Sequence, residues 1–164
     1  MSSEASRNFF SDFLRPHRTI PQTSWAAKHR WDLSIPRTGI LFFGLFIFGL
    51  GDSLLVQSNT GNAPWTVLAQ GVANKLDISI GVSTFAISTL VLLLWIPLRE
   101  KPGFGTIANI VIIASAIQLG VNIFPLANNY LIGILMDFLG IALVGIGSAL
   151  YITCALGPGP RDGL

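Results

Sequence analysis

The sequence predicts an all-α, polytopic membrane bundle with four transmembrane helices and the start of an inverted internal repeat. Three observations carry this reading. Half of the residues are apolar and only 11% are charged, whereas a water-soluble domain carries about 25% charged residues. The apolar residues gather into four runs, each close to the ~20 residues that cross a ~30 Å hydrocarbon core. One 25-residue phrase is also written twice, at Gly44–Leu68 and, 96 positions later, at Gly140–Leu164.

Residues 1–37 form a polar, basic tail that holds six of the ten Lys/Arg residues: Arg7, Arg15, Arg18, Lys28, Arg30 and Arg37. Phe9, Phe10, Phe13 and Leu14 recur at near-helical spacing. They suit either a short amphipathic segment on the membrane surface or a mobile tail with a few aromatics. Pro16, Pro21 and Pro36 forbid one long helix. The first apolar run starts near Thr38, too far along for a cleavable signal peptide, and reads as an uncleaved anchor.

The spans are expected at 38–57, 80–98, 106–124 and 130–153. No water reaches the hydrocarbon to satisfy backbone groups, so such runs must be helices. Arg99–Gly103 makes a tight charged turn between the second and third spans, and Pro125–Asn129 an uncharged one before the fourth. Turns this short make neighbouring helices antiparallel. With a cytoplasmic N-terminus, nine of the ten cationic residues lie inside and only Lys75 outside, which sets the expected orientation.

The doubled phrase aligns without a gap. Gly44, Gly49, Gly51, Leu54, Gly61, Pro64 and Leu68 fall on Gly140, Gly145, Gly147, Leu150, Gly157, Pro160 and Leu164. Most of these residues dictate backbone geometry. The expected units are 38–139, with three spans and a short half-helix at 64–76, and 140–164, the truncated start of a second copy. A unit of three spans is odd, so the second copy starts from the opposite face of the bilayer. Such inverted repeats are typical of secondary transporters. The first copy continues 56 residues past Leu68 to Phe124, so the chain reads as an incomplete pair. The glycines of the first and fourth spans (Gly44, Gly49, Gly51; Gly133, Gly140, Gly145, Gly147) are expected to line the contact between the copies.

Candidate ligand-binding residues follow from the same phrase. At Gly61, Asn62, Pro64 and Trp65, a glycine suited to a left-handed helix exit precedes a proline suited to the first turn of a new helix. Free N–H groups at a helix start attract anions and carbonyl oxygens. Gly157, Pro160, Arg161 and Asp162 repeat the device; turns of this kind also commonly do no more than reverse a chain. Asp52 is the sharpest single residue. A carboxylate at mid-span costs about 3 kcal/mol on insertion scales and should face protein or water. Gln118 and Asn122 lie at comparable depth on the third span and suit either a polar cavity or plain inter-helix hydrogen bonding.

Nothing here supports enzymatic catalysis. His17 and His29 are isolated, no Cys/His set has metal-ligand spacing, and no nucleophile–base pair is evident. No cofactor or metal is expected, and Cys154 reads as a small apolar residue. The low net charge of +2 does not describe a nucleic-acid surface.

The two Gly-x-x-Pro turns, with Trp65-Thr66 after the first and Pro-Arg-Asp-Gly-Leu at 160–164, resemble the bacterial YczE/YitT-type membrane proteins. The resemblance covers roughly 39–164, and 157–164 is its most specific piece. It implies a bacterial inner-membrane protein of five or more spans, transporter-like and without an established substrate, and brings no catalytic residues. Asn62 and Thr66 stand where the resemblance leads one to expect Gly or Ile and Asp, which makes the first turn less acidic.

Two functions from different classes fit. The leading one is a carrier for a small polar or anionic solute, with the two Gly/Pro-led half-helices as its site and Asp52 tuning it. Its rival is a non-transporting scaffold for a biosynthetic or export complex. The expected partners are the lipid bilayer, a small-molecule solute, and either a second copy or a larger membrane complex.

Overall fold

The computed structural model describes residues 23–160. Arg161, Asp162 and the tail phenylalanines lie outside the described residues. The described chain is all-helical: α1 (Ile35–Ser58), α2 (Pro64–Leu76), α3 (Ile80–Leu98), α4 (Phe104–Ile123) and α5 (Tyr130–Thr153). All but α2 are long and apolar enough to cross a membrane. The protein is a multi-pass membrane protein.

The helix ends follow local chemistry. α1 begins at Ile35, three residues before the expected start, because Pro36 sits in its first turn, where a missing N–H costs nothing. It ends on Asn59, in the left-handed region at φ 56°. The left-handed exit expected at Gly61 is therefore made two residues earlier by asparagine, the non-glycine residue that best tolerates it. Gly61 itself meets open space. α4 likewise starts earlier than expected, because extended Gly103 caps it and donates its N–H to Thr106 Oγ1 at 3.1 Å.

Side-chain neighbours fix the directions. A Cβ on Gly49 would meet Ile113 and Ala116 of α4, and one on Gly120 would meet Ser53, so α1 and α4 run in parallel. Gly81 near the start of α3 faces Gln118 and Ala114 of α4, so α3 opposes them. α5 opposes α1. α2 therefore leaves and returns on one side. Ser83 Oγ donates to Ala69 O at 2.6 Å, and Thr66 lies deeper, at the level of Thr84 and Ser88. The chain turns back along the bundle at 59–63, where the Thr60 hydroxyl donates to the Asp137 carboxylate, and α2 runs outward again.

Glycine decides how α1 meets α5. Gly44 faces Gly147, and Gly51 faces Gly140. At one end of this seam Gly133 lies under Ser58 O, and at the other the Cys154 thiol donates to Arg37 O at 3.7 Å. Exchanging each residue for the one 96 positions away turns the first contact of each pair into the second. The seam is thus self-complementary. Two of the expected seam glycines stand elsewhere: Gly49 packs on α4 and Gly145 meets nothing within 4 Å.

Residues 23–33 strap the Arg37 end of the bundle. The Arg37 guanidinium donates to Trp25 O (2.6 Å), Asp32 O (2.6 Å) and Ala26 O (3.1 Å), and pairs with the Asp32 carboxylate at 3.0 Å. The Lys28 N–H and Arg37 together hold the Asp32 carboxyl below its usual range. Trp25 Nε1 donates to Thr153 Oγ1 at 3.2 Å, tying the strap to α5.

A Cβ at Gly147 would lie 2.6 Å from Gly44 O and 2.7 Å from Phe48 N, backbone atoms that cannot step aside. Gly147→Ala is expected to destabilise the protein by about 1–3 kcal/mol, the usual cost of overpacking. Gly145→Ala, on an open face, should be neutral or gain up to about 1 kcal/mol of helix propensity. Unfolding of both variants in detergent micelles checks the contrast; equal effects would remove the seam as the tight contact.

Candidate functional site

Behind the seam, α1 turns a second face inward. Phe48 and Asp52, one helical turn apart, line a cavity with Thr84 and Ser88 of α3, also one turn apart. Asn109, Ile110, Ile113 and Ile117 of α4 form another wall. The start of α2 adds Trp65 and Thr66, and the second Gly/Pro corner adds Pro160. The free volume is about 20 Å³, enough for one water-sized group.

The cavity is polar in an apolar bundle. Asp52 is 3% exposed and is itself engaged in a polar or electrostatic contact. Thr66 and Thr84 are 2% and 3% exposed, and neither Oγ1 has a hydrogen-bond partner. α2 contributes more than side chains. Its first intrahelical bond runs from Val67 N–H to Ala63 O at 2.9 Å, and Ala63 supplies no side-chain cap. The N–H groups of Trp65 and Thr66 therefore lie ahead of the helix's own acceptors.

The second corner is held from two sides. Trp95 Nε1 of α3 donates to Pro160 O at 3.2 Å, and Thr106 Oγ1 of α4 donates to Pro158 O at 2.7 Å. Gly157 adopts φ 115°, a backbone state that suits glycine, with Gly103 and Thr106 packed where a Cβ would go. Leu156 O accepts from Gly105 N–H at 2.9 Å.

Of the residues singled out from the sequence, Asp52, Trp65 and Pro160 come together here, with Pro64 beside them as the first residue of α2. Asn62 Nδ2 donates to Gln70 Oε1 at 2.8 Å. Gln118 and Asn122 stand apart, in a shallow groove between α3 and α4. Gln118 accepts from Gly81 N–H at 3.0 Å and donates to Asn122 Oδ1 at 3.0 Å, which makes it a fastener between helices. Thr66, Thr84, Ser88 and Asn109 were not among the expected site residues. For Thr84 and Ser88 the signal in sequence is a cluster of small hydroxyl residues with Ser83 in an otherwise apolar span, and for Thr66 its place in the first Gly/Pro turn.

The site offers hydroxyls, an amide, a carboxylate and backbone donors. Among the described residues no three His, Cys, Asp or Glu side chains gather to hold a metal. Its chemistry is hydrogen bonding and charge, suited to binding.

The chain belongs to a family of unknown function (DUF6198), whose model matches residues 35–164. It is 45% identical over 147 residues to an uncharacterized protein of Haemophilus influenzae, covering 90% of this chain and 67% of the relative. The uncharacterized membrane protein YczE of Bacillus subtilis is 30% identical over 125 residues, covering 75% of this chain and 58% of that protein. The uncharacterized protein YyaS of the same organism is 31% identical over 127 residues, covering 74% and 62%. The YczE-type resemblance is thereby borne out. The chain spans 58–67% of the length of these curated relatives. No solved structure matches.

An unpartnered buried hydroxyl is a net cost, so replacing it with an isosteric methyl should relieve the fold. Thr66→Val and Thr84→Val are each expected to leave stability unchanged or raise it by about 1 kcal/mol in ligand-free detergent. Ser83→Ala, which breaks the bond to Ala69 O, should cost about 1 kcal/mol. Losses of similar size in all three would mean that Thr66 and Thr84 have partners of their own.

Proposed function

We propose that the protein is a membrane carrier that binds a small polar or anionic solute in the cavity between α1, α3, α4 and the start of α2. The single observation behind this reading is that two buried hydroxyls without partners face the same space as a buried carboxylate and the uncapped start of a non-crossing helix. Polar groups placed at such depth are costly and default to a functional role. A broken or dipping helix with its N-terminus at depth is the usual way carriers build a binding site.

The self-complementary α1–α5 seam supports the inverted-repeat part of the reading. In that arrangement α5 opens a second unit whose corner at Gly157–Pro160 corresponds to the first at Gly61–Pro64. Alternating access would then be rocking of one unit against the other about the glycine seam. No covalent step is involved, and no enzymatic activity is proposed. The excess of Lys/Arg in the tail and in the Arg99–Lys101 turn supports a cytoplasmic N-terminus in a bacterial inner membrane.

Two measurements test this. With Cys154 replaced by Ala, Asn128→Cys should react in intact cells with a membrane-impermeant maleimide, and Lys101→Cys only after the membrane is opened. The reverse pattern would overturn the orientation. In the second, the full-length protein is screened for thermal stabilisation by amino acids, short carboxylates and polyols. At least one solute should add about 2.7 kcal/mol at a hundredfold excess over its Kd, and the cavity-filling variant Ser88→Val should lose that response. No response to any solute, with cellular function lost only on deleting residues 1–37, would favour the scaffold.

A further inference from the structure

Resting on that reading of the cavity as the binding site, we infer that what it recognises is a negatively charged acceptor: a small monovalent anion or one carboxylate oxygen of a larger solute. The argument is a census of donors. Beside the Ser88 hydroxyl and the Asn109 amide, which also line it, four groups at the cavity have no hydrogen bond among the described residues: the backbone N–H of Trp65, the backbone N–H of Thr66, Thr66 Oγ1 and Thr84 Oγ1. All four can donate a hydrogen bond, and the two N–H groups can do nothing else. A hydrogen-bond acceptor is the one kind of group that serves them together.

Two of the donors belong to the start of a 13-residue helix, where the peptide dipoles add to roughly half a positive charge. The two threonine hydroxyls come from different helices, so the site does not consist of a helix end alone. A cation there would meet that positive end and leave both N–H groups unserved. Asp52, which could otherwise favour a cation, is already engaged. Its side chain lines the cavity beside those donors. At about 20 Å³ the space admits a halide or a single carboxylate oxygen, with the rest of a larger solute lying toward the cavity mouth.

The test uses the full-length protein in a neutral detergent at fixed ionic strength, with sodium gluconate replaced stepwise by sodium chloride, nitrate or formate. At least one of these anions should raise Tm by several degrees in a saturable manner. Thr66→Val and Thr84→Val, each folded by its own unfolding transition, should shift the half-saturating concentration upward at least fivefold. An equal response in all three proteins would be a general salt effect and would overturn the inference. So would a Tm that follows sodium against choline regardless of the anion. If no anion acts but a neutral solute from the screen stabilises the protein, this inference falls and the carrier reading stands. If an anion binds as described yet proteoliposomes do not pass it, the site stands and the carrier reading falls.

Discussion

Lipid gives helices no hydrophobic reason to associate, so close backbone approach must supply the attraction. In this protein α1 carries that burden, with two faces given to neighbouring helices and a third to the cavity. Gly44 and Gly51 admit α5, Gly49 and Ser53 meet α4, and Phe48 and Asp52 are left facing the cavity. The assignment is strict because the faces are one residue apart. A side chain at Gly51 would strike Gly140 O and push α5 away. Rotation of α1 to relieve that clash would swing Asp52 out of the cavity. The position of the buried carboxylate is therefore a consequence of glycine packing on its other side.

The segment before α2 follows from the same economy. Thirteen residues of helix reach about 20 Å, short of a ~30 Å core. Non-helical backbone at depth survives only where it is buried in protein or lines a cavity. In this stretch Thr66 is buried and, with Trp65, lines the cavity, whereas Asn59, Thr60 and Gly61 are exposed. Ser83 secures α2 through Ala69 O, and the uncapped turn at Trp65 and Thr66 opens onto the polar space. Had Ala63 been Ser or Asp, its side chain could have capped those N–H groups and closed the site to a ligand.

Much of this was legible in the sequence, and the misses have physical reasons. Hydropathy placed the four spans, but it sees apolar runs rather than caps, so the starts at Ile35 and Phe104 slipped behind a permitted proline and an extended glycine. The doubled phrase located the seam, yet gave Gly49 and its counterpart Gly145 one role. Gly49 packs on α4, while Gly145 has no helix against it among the described residues. Asp52 stood out because a charge at that depth is rare. Thr84 did not, because a threonine in a span normally bonds its own backbone one turn back, as Thr89 does to Phe85 O at 2.8 Å and Ser115 does to Val111 O at 2.8 Å. Which hydroxyl forgoes that bond depends on a tertiary neighbour that sequence spacing cannot supply. For Gln118 and Asn122 the sequence left a polar cavity and inter-helix hydrogen bonding open, and the helix face they occupy gives Gln118 the second role, through Gly81 N–H.

The cavity wall crosses the seam, and this links packing to the proposed transport. Asp52 and Phe48 belong to α1, whereas Pro160 belongs to the corner that follows α5. That corner is not free to travel with α5 alone, since Trp95 of α3 and Thr106 of α4 both hold its carbonyls. A rocking motion of α5 along α1 would therefore either break those two bonds or carry the ends of α3 and α4 with it. Each broken bond costs on the order of 1 kcal/mol, small enough to be offset by an occupant that satisfies four orphan donors. Under the proposed transport, a ligand would drive such a motion only by binding one of the two arrangements better than the other.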